Sequence, residues 1–261
     1  MRVALVSLNQ AWENKDINIK ACRSFIQRAK EQNVDLVIFP EMTLTSFSMN
    51  TKITAEEGAS SETVSLFQKF ATEFKIATVF GVVFRDSDKA TNNALLIDRT
   101  GIVLGGYSKI HPFTFAGEDK VFNGGSEISY LKLGSMTIGL TICYDLRFPE
   151  IYSALAKHCD LIINIANWPA KRLDHWNALL KARAIESQIF MVGVNRTGSD
   201  GNGLEYIKSS QIINPNGELL SSVISEDEID IFDIDPEYIS KFKQKFSTTQ
   251  DRKPALYKSV L

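Results

Sequence analysis

Two textures alternate along this chain, and they cannot occupy the same layer of a fold. Short apolar runs rich in branched side chains (residues 3–8, 34–39 and 77–84) are separated by longer stretches, 16–32 and 61–74, whose apolar residues recur at helical spacing. The runs read as buried strands, and the stretches as helices with one apolar face, along which Ile19, Cys22, Ile26 and Ala29 line up in the first. Strands of this kind need helices laid over them, which predicts a layered α/β fold with helices outside and strands in the middle. Residues 93–98 and 102–107, around Arg99-Thr-Gly101, predict a hairpin. The second half repeats the alternation, with strands at 128–133, 136–142, 161–165 and 190–195. Helices are expected from the Cys143 turn to Lys157 and over 173–188, the latter with an apolar face of Trp176, Leu179, Leu180 and Ile185. A second hairpin (210–214 with 218–223, around Pro215-Asn-Gly217), a last strand at 228–234 and a polar tail at 236–261 complete the pattern. No linker or repeat divides it, so a single domain over 1–261 is expected, its tail packing on a partner subunit.

The chain has 261 residues, 44% of them hydrophobic, enough for one large domain with a sizeable core. A net charge of −2 and a pI near 6.0 give no electrostatic case for nucleic acid or an anionic membrane. Residues 1–9 read as a first strand rather than a signal peptide. Three cysteines without close spacing speak against a disulfide framework and for a reducing compartment, so a cytoplasmic location is expected. His111, His158 and His175 have no zinc-like spacing, and the Gly-rich loop 198–203 has neither the phosphate-loop nor the dinucleotide pattern. Neither a metal nor a cofactor is expected.

Three ionisable residues stand where strands end. Cys143 closes the apolar run 136–142 and is followed by Tyr144-Asp-Leu-Arg147 and Phe148-Pro149-Glu150, which open a helical pattern. A thiol at such a turn has backbone N–H groups close by and a helix N-terminus that favours thiolate. Glu41 follows residues 34–39 and a proline, and Lys109 follows 102–107. Each has a plain alternative, as a core cysteine, a loop glutamate or a solvated lysine. In layered α/β folds, however, strand C-termini gather on one edge, where ligands bind. A thiol, a carboxylate and an ammonium gathered there suit acyl transfer: Cys143 as nucleophile, Glu41 as base, and Lys109 with the Tyr144 N–H as oxyanion donors. Glu118, in the loop after Lys109, is the candidate for holding the lysine charged. Cys22 and Cys159 read as core residues. His175 reads as a hydrogen-bonded packing residue, and Trp168 either lines a pocket or caps the core.

Phe39-Pro-Glu41, Tyr107-Ser-Lys-Ile-His111 and Ile142-Cys-Tyr-Asp-Leu-Arg-Phe-Pro149 resemble, in that order, the three signature segments of the nitrilase (carbon–nitrogen hydrolase) superfamily. The resemblance implies an α-β-β-α sandwich whose subunits pair through helices, and it implies the same roles for Glu41, Lys109 and Cys143. It places Glu118 at the family's supporting glutamate. Phe246-Ser247 departs from a more usual Phe-Pro, in the tail. Ala166-Asn-Trp-Pro169, His175-Trp176, Ala182-Arg-Ala-Ile-Glu186 and residues 198–203 are similar to the ω-amidase branch, which hydrolyses the terminal amide of 2-oxoglutaramate and related dicarboxylate monoamides. The expectation is therefore a homodimeric or larger thiol amidase. Rivals are an amidase for deaminated glutathione or N-carbamoyl compounds, a nitrilase, and a binding or scaffold protein on an inherited amidase fold. A short ω-amide carries a distal carboxylate that needs a cation, for which Arg172 is the candidate. Arg147 is a second, unless it pairs with Asp145 or Glu150.

Overall fold

The computed structural model describes residues 1–260; Leu261, the last residue of the expected tail, lies outside them. Two sheets form its middle. The first runs, in spatial order, Ile224–Glu226, Ile229–Asp233, Arg2–Val6, Leu36–Ile38, Ala77–Asp86, Lys89–Ile97 and Val103–Ser108, with Ala55–Glu56 also paired to Ala77–Asp86. The second runs Gln211–Ile213, Phe190–Asn195, Leu161–Ala166, Met136–Ile142 and Tyr130–Leu133. At the heart of each, three neighbouring strands are parallel, so their C-terminal ends share one edge.

Period-two alternation decides which side chains meet which layer. Val3, Leu5, Leu36, Ile38 and Val79 of the first sheet share one core with Ile138, Leu140 and Ile163 of the second. Ala4, Val6, Val37 and Phe80, the residues between, turn the other way. They pack on Cys22 and Ile26 of helix Lys15–Glu31 and on Phe67 and Ala71 of helix Glu62–Phe74. Helices Pro149–Leu155 and Leu173–Ser187 cover the second sheet through Tyr152, Leu155, Trp176 and Leu180. The result is the expected α-β-β-α sandwich. Asn14 and Ser61 cap helices Lys15–Glu31 and Glu62–Phe74 through their side chains, and Lys75 and Gln188 end helices in the left-handed region, at φ 55° and 53°. No described helix is long and apolar enough to cross a membrane.

Three expectations need correction, and the tail adds a further observation. Ile185 is not on the buried face of its helix; it is 47% exposed. It stands nine positions after Trp176, roughly half a turn out of phase at about 100° per residue. Arg183 takes a buried place instead, because its guanidinium donates to the Leu146 carbonyl at 3.1 and 2.9 Å. The helix after Cys143 is interrupted: a 3-10 turn, Cys143–Arg147, is separated from Pro149–Leu155 by Phe148, held extended by the proline that follows it. The Pro215 turn forms, with Asn214 Oδ1 accepting from the N–H groups of Asn216 and Glu218, but its second arm is a single bridge at Leu219. The tail is partly used at home. Ile239 of helix Tyr238–Lys245 is buried in the chain's own core, Gln188 bonds the backbone of Phe246 and Thr248, and Arg252 bonds Ser153 and the Glu186 carbonyl.

Candidate active site

Each ionisable residue reaches the shared edge by a local device. Glu41 follows strand Leu36–Ile38, and the chain turns back at Met42 in the left-handed region (φ 46°). That turn presses on Gly81 of the neighbouring strand, where a Cβ would stand 2.3 Å from Met42 N, so only glycine fits. Lys109 directly follows strand Val103–Ser108, and its N–H donates to the Asn92 carbonyl (2.8 Å). Glu118 opens the short helix Glu118–Val121 and accepts from the Phe113 N–H. Cys143 sits at φ 47°, a conformation uncommon for a residue with a side chain, and turns its thiol out of the strand.

These residues meet in one buried cluster. Lys109 Nζ donates to Glu41 Oε1 (3.1 Å) and to Glu118 Oε1 and Oε2 (3.0 and 2.8 Å). Lys109 is 2% exposed, and both glutamates are fully buried. The remaining carboxylate positions are filled. Asn92 Nδ2 donates to Glu41 Oε1 (2.8 Å) and Glu118 Oε1 (3.2 Å), and the Asn167 N–H donates to Glu41 Oε2 (2.9 Å). Asn167 also ties Glu41 to Cys143, because the Cys143 thiol points at its carbonyl (3.9 Å) while its side chain donates to the Glu41 carbonyl (2.8 Å). Gln10 secures the turn from behind, donating to the carbonyls of Glu41, Met42 and Thr43.

The charges set the protonation of the cluster. Burial alone would lower the Lys109 pKa, but Glu118 and Glu41 outweigh it and hold the ammonium above its ordinary value. Burial and the negative charges of Glu41 and Glu118 push the Cys143 thiol well up, against the pull of Lys109. The carboxylates thus work against the helix N-terminus, whose first turn here is only a short 3-10 turn. A neutral thiol needs a base, and Glu41 is in place to serve as one. Tyr144 lies in the first turn after Cys143, where N–H groups have no acceptor within the turn, which suits the oxyanion role expected of it.

The elbow is braced from two sides. Buried Asp145 accepts from the Ile142 N–H (3.0 Å), the Tyr107 hydroxyl (2.8 Å) and the His111 N–H (3.1 Å), joining the Cys143 turn to the strand end that carries Lys109. Arg183 holds the Leu146 carbonyl. Above Cys143 opens a cleft walled by Phe113, Arg147, Trp168, Arg172, Leu204 and Tyr206. Trp168 fills both roles left open for it: it lines the cleft, and at 3% exposure it packs on the core. The Arg147 guanidinium lies 5.0 Å from the Trp168 ring centre, and that of Arg172 lies 5.4 Å from the Phe113 ring centre. The alternative partners for Arg147 are not used. Asp145 faces His111 at 2.7 Å, and Arg147 instead donates to His175 Nδ1 (3.2 Å), so His175 is exposed and hydrogen-bonded rather than packed inside. Among the described residues neither arginine pairs with a carboxylate.

Asn92, Asn167, Asp145 and Gln10 were not picked out by sequence reasoning. A signal existed for Asn92, since two adjacent asparagines in a buried strand must find partners.

Comparison with known proteins places this geometry. The carbon–nitrogen hydrolase family matches residues 2–244. Omega-amidase YafV of Escherichia coli (strain K12) is 33% identical over 83% of this chain and 84% of that protein. The 2-oxoglutaramate amidase of Bacillus subtilis (strain 168) is 32% identical over 92% of this chain and 93% of that one. A solved CN-hydrolase superfamily protein from Xanthomonas campestris, with an arsenic adduct in its active site, superposes with a TM-score of 0.89 at 28% identity, covering 97% of each chain.

Proposed function

Because the chain belongs to the carbon–nitrogen hydrolase family and is an amidase, we propose that it hydrolyses the terminal amide of a small dicarboxylate monoamide, of the 2-oxoglutaramate kind, through a thioester on Cys143. The observation that carries this reading is the sealed Glu41–Lys109–Glu118 cluster beneath a cleft that holds two arginines without carboxylate partners among the described residues. In the proposed cycle Glu41 takes the thiol proton as Sγ attacks the amide carbon. The oxyanion accepts from the Lys109 ammonium and the Tyr144 N–H, and loss of one such donor typically costs about 2.7–4 kcal/mol of barrier. Glu41 returns the proton to the nitrogen, and ammonia leaves. A water that gives its proton to Glu41 then attacks the thioester, and the proton passes back to sulfur as the acid departs.

The distal carboxylate is assigned to the arginine wall, with Arg172 as first candidate and Arg147 as second. The names of the two amidase relatives support this substrate class. An ammonia-release assay over ω-amides, carbamoyl compounds and nitriles tests it. The fastest release is expected from a dicarboxylate monoamide and none from a nitrile. A preference for neutral amides would remove the carboxylate assignment and leave the thiol mechanism standing; turnover of the nitrile would move the protein to the nitrilase reading. The chain is further inferred to form a homodimer or larger homo-oligomer, since Ile185, Leu256 and Tyr257 leave apolar surface exposed. Sedimentation should then give at least twice the 29.2 kDa chain mass, and a monomer at micromolar concentration would refute it.

A further inference from the structure

One neutral side chain touches both buried carboxylates. Asn92 Nδ2 donates to Glu41 Oε1 and to Glu118 Oε1, the same two oxygens that accept from Lys109 Nζ. Two carboxylate oxygens are thus gathered around one ammonium and one amide, out of water. Carboxylates brought this close can share a proton, and the pair then holds one negative charge instead of two. Lys109 favours the separated pair, since an ammonium attracts two negative charges more than one. The amide NH2 adds a directional preference: as a donor only, it gains from an unprotonated oxygen on each side and loses where either carries hydrogen.

We propose that Asn92 is the positioning residue that keeps Glu41 available as a base, by holding Glu41 and Glu118 as two separate acceptors on either side of Lys109. The backbone supports the assignment. The Asn92 carbonyl accepts from the Lys109 N–H, so one residue sets both the strand that delivers the lysine and the amide that divides its partners. Asn92 is 2% exposed, and its own Oδ1 has no partner among the described residues, so the side chain is held by what it donates. The other titratable groups facing Glu41 are Lys109, Glu118 and Cys143. Asn167 and Gln10 face the same residue with neutral groups, and Arg196 reaches its turn through Ser46 and the Gln10 carbonyl. None of these bridges both carboxylates. The inference rests on the reading of Glu41 as the base.

The test is the pH profile of kcat/KM on whichever amide the wild type hydrolyses fastest, measured for wild type, Glu41→Gln, Asn92→Leu and Asn92→Asp. Leu deletes the donor at similar volume, and Asp replaces it with a third acceptor. The acid limb should move up by about one pH unit in Asn92→Leu, the worth of one hydrogen bond to a charged group, and further in Asn92→Asp. The plateau above the limb should stay within about tenfold of wild type. A merely structural role would lower the melting temperature and leave the limb where it is. Either folded variant decides: a limb at the wild-type pH overturns the proposal, as does failure of both variants to fold, which would place Asn92 in folding. Glu41→Gln separates the two readings. If it keeps wild-type rate and limb, Glu41 is not the base. If it loses activity while the Asn92 limbs stay fixed, only the role of Asn92 falls.

Discussion

The floor and the wall of the cleft are built on opposite terms. On the floor, Glu41, Lys109 and Glu118 are buried, and each carboxylate oxygen has a donor from a different part of the chain. On the wall, Arg147 and Arg172 lie over aromatic rings, partly exposed, with no carboxylate among the described residues to hold them. A group that must present the same charge at every turnover gains from being over-determined, since removing one partner leaves the other buried and unpaired. A group that must meet a substrate's carboxylate gains from being cationic and uncommitted. Chemistry and selectivity should therefore respond separately to mutation, with floor variants losing kcat and wall variants shifting KM for one substrate class.

The largest expected effect is on the floor. Cys143→Ala should abolish ammonia release while circular dichroism and melting stay near wild type, because a small-for-small change at a partly buried strand end opens little cavity. Lys109→Met keeps the stem and removes the ammonium, and kcat should fall on the order of a hundredfold or more with KM changed far less. A normal kcat with raised KM would make the lysine a binding group and break the comparison. Glu118→Gln should cost kcat on the order of tenfold, since one charge-assisted bond to Lys109 is weakened while its shape is kept.

Wall variants sharpen the comparison. Arg172→Ala should raise KM for a dicarboxylate monoamide by roughly tenfold or more, and for a neutral aliphatic amide by no more than about threefold, with kcat little changed. Equal weakening of both substrates would move the carboxylate site elsewhere, and the same pair of assays on Arg147→Ala would then locate it. A thiol outside both regions gives the smallest effect. Burial, with Asp160 beside it, pushes Cys159 up from 9.0 to about 12, so the folded state favours its neutral form. Its stabilising contribution is whole below pH 9 and is lost as pH rises through 12. Cys159→Ala should make the alkaline fall in melting temperature shallower, by up to about 1.4 kcal/mol per pH unit in free energy.

How far the sequence could be read follows the same division. Strands and helices were legible because their periodicities are local. The three strand-end residues were legible because parallel strands carry their C-termini to one edge, whatever the connections between them. Ile185 misled because the helix that carries it buries a polar residue, Arg183, for the sake of a bond to Leu146, a partner 37 residues away in sequence. The preference for thiolate counted the turn after Cys143 and not the two carboxylates that face it, which come from distant segments. Asn167, and the bridging role of Asn92, were invisible for a related reason: their importance lies in joining groups that only the folded chain brings together.

The most direct test of the account is a rapid-quench experiment under single-turnover conditions, following ammonia, free acid and the mass of the peptide containing Cys143 on one time base with a slow ω-amide. The account predicts that ammonia appears ahead of the acid, and that the gap between them equals the amount of Cys143 peptide carrying the acyl group. Ammonia and acid appearing together with Cys143 unmodified at every time point, or an acyl group on any other residue, would contradict it.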